Sequence, residues 1–169
     1  MLKKTKHLKI RPLRLIDARK IIKIINSVVE EKKYTTFLKM SERQGRQYLK
    51  SMAPNETIFI AELDGKIVGF QFVEQFPGGM RANMHVATMG TFLFKDYRKM
   101  RIGTDLAART FNWAKKKGYE KIVIWVFEDN IEGLKFYKKL GFKPVGKWIK
   151  QVKIDDRYHN EVVLEKFLV

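Results

Sequence analysis

A short, strongly basic segment is the first part of the sequence whose residue types suggest chemistry. Lys95, Arg98, Lys99 and Arg101 follow an apolar run and surround a turn that leads to Gly103 and a stretch with helical periodicity. A turn between a strand and a helix presents unpaired backbone N–H groups, which together with the helix dipole favour an anion. Four basic side chains at such a turn indicate a ligand with more than one phosphate, although a solvated charged connection would look the same in sequence.

Several other chemistries are excluded by what the sequence lacks. A Walker loop needs a Gly-Lys-Ser/Thr run and a dinucleotide-binding turn needs G-x-G-x-x-G, and neither pattern occurs. The absence of cysteine excludes disulfides, a thiol nucleophile and a cysteine-based zinc site. We expect no metal cofactor.

Length and composition indicate one globular domain over residues 1–169, with 45% hydrophobic and 31% charged residues. No apolar run reaches the length of a membrane span, and the amino-terminal segment lacks the apolar centre of a secretory signal. We therefore expect a cytoplasmic protein without a membrane partner. The oligomeric state stays open, and a homodimer is one alternative.

The net charge of +17 admits three explanations: an anionic ligand, a nucleic-acid or ribosomal neighbourhood, or general lysine enrichment. Because the lysines are spread along the whole chain instead of forming one arm, we expect no specific nucleic-acid partner.

Capping and turn residues divide the first half of the chain into elements. A strand is predicted from Leu8 to Leu15, with Asp17 capping the helix that follows. Ser41 and Gln44 have the spacing of a capping box for a second helix. Further on, the sequence predicts a hairpin at Asp64-Gly65, a turn at Gly78-Gly79 and a long strand from Ala82 to Phe94.

The second half of the sequence predicts a βαβ unit. It consists of the strand ending at Phe94, a helix from Ile102 to about Lys117, and a strand from Lys121 to Phe127. Gly118 and Gly141 are placed to end helices, and a closing strand pair turns around Asp155-Asp156. The two strands of the βαβ unit are expected to be parallel. The fold class is mixed α/β, in the α+β sense.

Two segments carry a resemblance to a known family. "RKMRIG", Arg98 to Gly103, resembles the acetyl-coenzyme A signature of the GCN5-related N-acetyltransferases, except that Arg101 stands where the first glycine is usual. "NIEGLKFYKKLGF", Asn130 to Phe142, resembles a second block of the same family, with Gly133 in an alanine position. The resemblance implies a largely antiparallel mixed sheet with a parallel strand pair at the cofactor site, flanked by about four helices.

The resemblance also implies an activity and a set of residues. The activity is direct transfer of an acetyl group from acetyl-CoA, as co-substrate, to an amine. Tyr137 would protonate the departing thiolate, and Asn130 would contact the pantetheine arm and cap a helix. The main chain of Thr91, Phe92 and Leu93 would pair with pantetheine like an added strand. The phosphates would lie on the turn formed by Arg98, Lys99, Met100, Arg101, Ile102, Gly103 and Thr104.

Arg101 departs from the family signature, with two alternative consequences. An arginine at positive φ would strain the turn and lower cofactor affinity. Alternatively, the backbone is right-handed and the guanidinium adds a contact to the pyrophosphate, which is the alternative we favour because the helix start is otherwise intact.

The general base is not identified by the resemblance. Positions that carry glutamate in many relatives match Thr88 and Trp125, neither of which accepts a proton at neutral pH. Glu74 is the leading candidate, followed by His85 and by Glu30 or Glu31, while a relayed water or no dedicated base stays an alternative.

The acceptor is the least determined part of the prediction. "VVEEKKYT" and "VKIDDRYHNEVVLEK" loosely resemble the phosphinothricin- and amino-acid-acetylating branch, which implies a small-molecule or amino-acid-like amine. Protein amino-terminal or ribosomal-protein acetylation is the alternative. A cofactor-binding protein without transferase activity is another.

Overall fold

The computed structural model describes residues 7–77 and 81–168. Within these ranges the helices are α1 (Ala18–Glu30), α2 (Glu42–Ser51), α3 (Ile102–Lys116) and α4 (Ile131–Lys139). The strands are β1 (Leu8–Pro12), β2 (Thr57–Leu63), β3 (Lys66–Gln75), β4 (Val86–Leu93), β5 (Lys121–Phe127), β6 (Lys143–Ile154) and β7 (Arg157–Phe167).

All of these strands belong to one mixed sheet with the order β1-β2-β3-β4-β5-β7-β6. Within the described ranges β4 and β5 form the parallel pair and the other neighbours are antiparallel, as predicted. None of the helices in these ranges combines the length and apolarity that a membrane crossing requires.

Several local predictions are confirmed. The Ser41 hydroxyl accepts from the Gln44 amide at 3.3 Å while the Gln44 side chain accepts from the Ser41 amide at 2.8 Å, which forms the predicted capping box. Asp64 and Gly65 have φ values of 49° and 78°, as a tight hairpin turn between β2 and β3 requires. The predicted turn at Gly78-Gly79 lies outside the described residues.

Three element predictions need correction. The first strand ends at Pro12, and a 3₁₀ turn occupies Leu15–Asp17. The Asp17 carboxylate does not cap α1, because it accepts hydrogen bonds from Arg11 and from the Arg14 amide. The long strand begins at Val86, since Arg81–Asn83 form a 3₁₀ turn.

The helices cover the two faces of the sheet. On one face, α1 packs with isoleucines such as Ile21 and Ile25 against Ile60, Phe70 and Phe92. On the opposite face α3 and α4 pack over a second part of the core; the buried side chains there include Leu106, Ala114, Tyr137, Phe142, Ile122, Ile124 and Leu164. We call the face of the sheet covered by α1 the α1 face, and the face covered by α3 and α4 the α3 face.

The parallel pair separates soon after it forms. β4 pairs with β5 at Val86 opposite Lys121 and at Ala87 opposite Ile122, whereas its pairing with β3 continues to Leu93. From Thr88 onward the edge of β4 that faces β5 therefore has no strand partner among the described residues. The separation opens the centre of the sheet.

Candidate active site

A cleft of about 880 Å³ lies where β4 and β5 separate. Its lining joins the segments singled out in the sequence: the end of β4, the cationic turn, the start of α3, and α4. The predicted residues Glu74, Thr91, Asn130 and Tyr137 all line this one cleft. Met100 is the one predicted cofactor residue that is not part of this lining. The others all line the cleft: Phe92, Leu93, Arg98, Lys99, Arg101, Ile102, Gly103 and Thr104.

The unpaired edge of β4 suits the predicted role of Thr91, Phe92 and Leu93. These residues pair with β3 on one side, and the side toward β5 is open to the cleft. An extended amide-containing group lying there would find main-chain donors and acceptors, as an added strand does.

The cationic turn has an unusual backbone. Lys99 has φ of 62° and Arg101 has φ of 64°, with ψ of −1° for Arg101, so both adopt the left-handed conformation. The expectation of right-handed geometry at Arg101 is therefore wrong. Arg101 precedes α3 as its N-cap residue, and its carbonyl accepts from Thr104 at 2.9 Å and Asp105 at 3.1 Å.

Backbone amides at the turn are available to a ligand. Among the described residues, no acceptor is found for the amides of residues 99–103. Successive amides around left-handed residues form a concave anion-binding surface, and the start of α3 adds the positive end of its dipole. The turn thus offers backbone donors at the position predicted for the phosphates, through left-handed residues instead of the expected right-handed geometry.

The basic side chains of the turn do not act alike. Arg98 donates to Glu31 through both terminal nitrogens, with 2.8 Å from Nη1, and to the Leu93 carbonyl at 3.2 Å. Its guanidinium also lies 4.8 Å from the centre of the Tyr34 ring. Arg98 therefore ties the segment after α1 to the end of β4. Lys99 forms an exposed ion pair with Glu132 at 3.3 Å, and the exposed Arg101 side chain lines the cleft.

Gly103 has a packing role beyond the predicted approach to an anion. A Cβ at this position would lie 3.0 Å from the Phe136 ring, at the point where α3 contacts α4. The glycine therefore lets the two helices that flank the cleft approach each other closely.

Asn130 caps α4 as expected. Its side-chain oxygen accepts from the Gly133 amide at 2.9 Å. A Cβ on Gly133 would lie within 2.9 Å of the Asn130 side chain, so the glycine in the alanine position makes room for this cap.

Tyr137 lies in the α3-face wall of the cleft. It is buried, and its hydroxyl donates to Oγ1 of Thr91 at 3.4 Å. Burial raises the pKa of this phenol above its ordinary value. Tyr137 is therefore protonated at neutral pH, which is the state that a proton donor to a leaving thiolate requires.

Glu74 lies on the α1 face, directly opposite Thr88 in the β3–β4 register. Because opposite residues of antiparallel strands have neighbouring Cβ atoms, Glu74 brings a carboxyl group next to Thr88, the position at which the family resemblance implies a glutamate. Burial and the charge of Glu56 raise the pKa of Glu74, while a 3.2 Å hydrogen bond from the Tyr48 hydroxyl lowers it, with a net rise.

The other candidate bases are placed elsewhere. His85 is exposed in the turn before β4, not on a strand, and is not part of the cleft lining. Glu30 pairs with Lys39 at 2.8 Å, and Glu31 is held by Arg98. Trp125 and Thr88 line the cleft on the α1 face.

One ionisable residue of the cleft escaped the sequence reading. Glu161 on β7 is 3% exposed and lines the cleft. The available signal was a glutamate in an apolar segment. Its importance depends on the pairing of β7 with β5, which places Glu161 opposite Phe127 at the cleft.

Family and sequence comparisons agree with this geometry. The model of the acetyltransferase (GNAT) family matches residues 24–142. An N-alpha-acetyltransferase of Sulfurisphaera tokodaii is 31% identical over 154 residues, covering 85% of this chain and 84% of the relative. An uncharacterized N-acetyltransferase of Methanocaldococcus jannaschii is 30% identical over 122 residues, or 66% of this chain, and the chain spans about half (52%) of that relative's length.

Solved structures confirm the predicted fold. A presumed acetyltransferase from Salmonella typhimurium, solved with its cofactor acetyl-CoA, gives a TM-score of 0.90 at 13% identity, covering 96% of this chain and 95% of that one. A presumed phosphinothricin N-acetyltransferase gives a TM-score of 0.88 at 19% identity, covering 96% of this chain and 99% of that one. A ribosomal-protein-alanine N-acetyltransferase from Brucella melitensis gives 0.86 at 18% identity, covering 94% and 99%. Identities this low show the fold alone.

Proposed function

The chain belongs to the acetyltransferase (GNAT) family, and we propose that it transfers an acetyl group from acetyl-CoA directly to a primary amine. The observation that carries this proposal is the opening between β4 and β5, which runs from the cationic turn past Tyr137 to Glu74. Phosphate-binding groups, a protonated phenol and a carboxyl group of raised pKa thus line one cleft. The proposal treats residues 1–169 as one domain, because a single sheet runs through the described ranges.

Cofactor binding would use the backbone more than the side chains. Free amides of residues 99–103 and the start of α3 would bind the pyrophosphate, with Lys99 and Arg101 adding positive charge. Pantetheine would lie along the open edge of β4 beside Thr91, Phe92 and Leu93, with Asn130 at the opposite wall. Acetyl-CoA supplies the acetyl group as a thioester.

Proton transfer would be divided between the two faces of the sheet. Glu74, on the α1 face, would take a proton from the amine as nitrogen attacks the thioester carbon. Tyr137, on the α3 face, would give its proton to sulfur as the C–S bond breaks. A raised pKa makes Glu74 a better proton acceptor than an exposed carboxylate.

The charge of the lining bears on the acceptor class. Sheet residues that line the cleft on the α1 face include Glu74 and Glu161, and no lysine or arginine comes from the described part of the sheet. Such a lining favours a cationic amine and disfavours an acceptor with a free carboxylate beside its amine. Small amines without that carboxylate remain the first candidate.

A peptide amino terminus is the second candidate. Its α-amine carries no adjacent carboxylate and has a pKa of about 8, so that it needs less help from a base than a lysine amine. The N-alpha-acetyltransferase of Sulfurisphaera tokodaii, at 31% identity, supports this candidate.

A panel of acceptors tests the proposal. The purified chain and acetyl-CoA would be incubated with monoamines, free amino acids, peptides with a free α-amine, and α-acetylated peptides that contain lysine. Free coenzyme A is measured by its thiol and the product by mass spectrometry. We expect transfer to at least one amine class, with free amino acids the poorest acceptors.

The role of Glu74 is tested with the same assay. Glu74→Gln is expected to lower kcat roughly 100-fold or more for a working general base, whereas Glu120→Gln, at an exposed site outside the cleft, serves as the matched control. Hydrolysis of acetyl-CoA without transfer to any acceptor would contradict the proposed function. Equal turnover by the two variants would instead remove Glu74 from the mechanism.

A further inference from the structure

Glu161 is a buried carboxyl group without a partner. It is 3% exposed, and no hydrogen bond or ion pair to its side chain is found among the described residues. Asp17, the other buried acidic residue in those ranges, is 6% exposed and accepts from the Arg11 guanidinium at 2.7 and 3.0 Å. The chain has 35 lysines and arginines against 18 acidic residues, so cations that could pair with a carboxylate are plentiful. Asp17 is paired with one of them, whereas Glu161 is not.

An unpaired buried carboxylate is costly, and a cation from outside the protein removes that cost. Burial raises the pKa of Glu161 above its ordinary value. A positively charged group that enters the cleft would restore the ionised form and gain a charge-assisted hydrogen bond.

The surroundings of Glu161 suit an organic cation. On the sheet it is opposite Phe127 of β5 and Trp148 of β6, so that its side chain shares the α1 face with these two rings. Trp125 belongs to the same face and lies 6.0 Å from Trp148 between ring centres. Aromatic faces attract alkylammonium and guanidinium groups, which adds to the attraction of the carboxylate.

Glu161 and Glu74 are too far apart to hold the same ammonium group. The strand order places Glu74 on β3 and Glu161 on β7, three strand spacings away. At about 4.8 Å per spacing the two strands are about 14 Å apart, and the separation of β4 from β5 widens this distance. The register adds a shift along the strands, because Glu74 is level with Val123 of β5 whereas Glu161 is opposite Phe127. An acceptor that reaches both carboxyl groups therefore carries two positive charges.

We propose that Glu161 binds a second cationic group of the acceptor while the reacting amine lies beside Glu74. The inference rests on the proposed function, which it deepens by naming the acceptor class. That class comprises amines with a further positive charge several bonds away, such as diamines, polyamines or peptides with a basic side chain near their amino terminus. Glu161 determines specificity and takes no part in bond making.

The test compares α,ω-diamines of increasing chain length with monoamines of the same length. For the wild-type protein we expect kcat/KM to be about tenfold or more higher for a diamine that spans the two sites than for its matched monoamine, on the scale of a charge-assisted hydrogen bond. In Glu161→Gln this ratio is expected to fall to near one. Glu161→Asp should restore part of it, and Glu120→Gln should keep the wild-type ratio.

Equal kcat/KM for diamines and monoamines in the wild-type protein would overturn the inference and leave the proposed function intact. A ratio unaffected by Glu161→Gln would also overturn it.

A second measurement does not depend on turnover. Calorimetry with the coenzyme A-loaded protein compares binding of the same diamine to wild type and to Glu161→Gln. Saturable binding that is lost in the variant supports the inference even where no acetylation is observed, and absence of diamine binding to wild type overturns it. Thermal unfolding of both proteins checks that the variant is folded.

Discussion

The hydroxyl of Tyr137 lies 3.4 Å from Oγ1 of Thr91, and this oxygen also accepts from the side-chain Nε2 of Gln71 at 2.7 Å. The contact joins α4 to the strand whose free edge faces the cleft. It holds the phenol at the cleft wall on the face opposite Glu74. Position and protonation state together support the proposed role of Tyr137 as proton donor to the leaving thiolate.

Tyr137→Phe removes the proton donor and leaves the ring. Because the phenylalanine ring keeps the packing contacts of Tyr137, we expect the affinity for coenzyme A to change little. The loss of the proton donor is expected to lower kcat roughly 100-fold. Calorimetry gives the affinity and steady-state kinetics the turnover. Unchanged turnover across the pH range would assign Tyr137 to the core alone.

Arg101→Gly separates backbone strain from side-chain contact. Glycine adopts positive φ without steric cost, so the folded turn loses strain, while removal of the guanidinium is expected to weaken coenzyme A binding by about 1–3 kcal/mol, on the scale of a hydrogen bond to a charged group. Titrations with coenzyme A and with the analogue lacking the 3′-phosphate show which phosphate is contacted.

Arg101→Asn is the matched control, since asparagine also tolerates the left-handed conformation but has no charge. Similar weakening in both variants indicates a lost cationic contact. Wild-type or tighter binding by both variants would rule out a contribution of the guanidinium.

Asp17→Asn breaks the buried ion pair with Arg11. We expect a loss of about 1.5–3 kcal/mol in the free energy of unfolding at neutral pH, on the scale of hydrogen bonds to a charged group. The loss stays below that of an isolated buried charge because the guanidinium keeps Glu62 as a second partner at 3.0 Å. Arg11 lowers the pKa of Asp17, so the pair stabilises the fold above the ordinary carboxyl pKa and loses its effect as pH falls through the lowered value. The difference between wild type and variant should therefore shrink in acid.

Asp155→Asn provides the comparison for Asp17. Asp155 forms an exposed ion pair with Lys32, and its φ of 46° is one that asparagine accepts. We expect a change of at most about 1 kcal/mol. Denaturant unfolding of both variants at several pH values measures these effects, and equal losses would contradict the assignment of Asp17 to a buried pair.

Glu161→Gln is expected to stabilise the ligand-free protein. Because the folded state raises the pKa of Glu161, that state holds its proton more tightly than the unfolded chain, and stability falls as pH rises from the ordinary value through the raised one. A neutral amide avoids this loss. We expect a gain of about 0.5–2 kcal/mol at neutral pH and above, and little difference near pH 4 or below.

Thermal unfolding as a function of pH tests the gain, which corresponds to about 2–4 °C per kcal/mol for a chain of this size. Glu120→Gln should show no such pH dependence. A variant less stable than wild type at neutral pH would mean that Glu161 has a favourable partner in the folded protein.

Local signals in the sequence were sufficient for the elements that depend on local interactions. The capping box of Ser41 and Gln44 and the hairpin at Asp64 and Gly65 involve residues close in sequence, so propensity and spacing predict them. The basic turn and the Asn130 cap were predicted for the same reason.

Features that depend on distant parts of the chain were missed. Asp17 was expected to cap α1, but Arg11 competes for its carboxylate. The ion pair of Arg98 with Glu31 was not predicted, because the two residues are 67 positions apart in the sequence. The left-handed backbone of Arg101 follows from the path of the turn between β4 and α3, which residue types alone do not determine.

The separation of β4 and β5 has a further consequence for the folding energetics of this chain. Among the described residues, strands β1 to β4 pair with the strands of the other half, β5, β7 and β6, only around Val86 and Ala87. The ligand-free sheet therefore has a weak seam through its middle, with few main-chain hydrogen bonds between its two halves. A molecule that hydrogen-bonds along the open edge would couple the two halves, since binding to the folded state alone adds stability by mass action. Occupancy would then show as slower amide exchange on both sides of the seam and as a more cooperative unfolding transition.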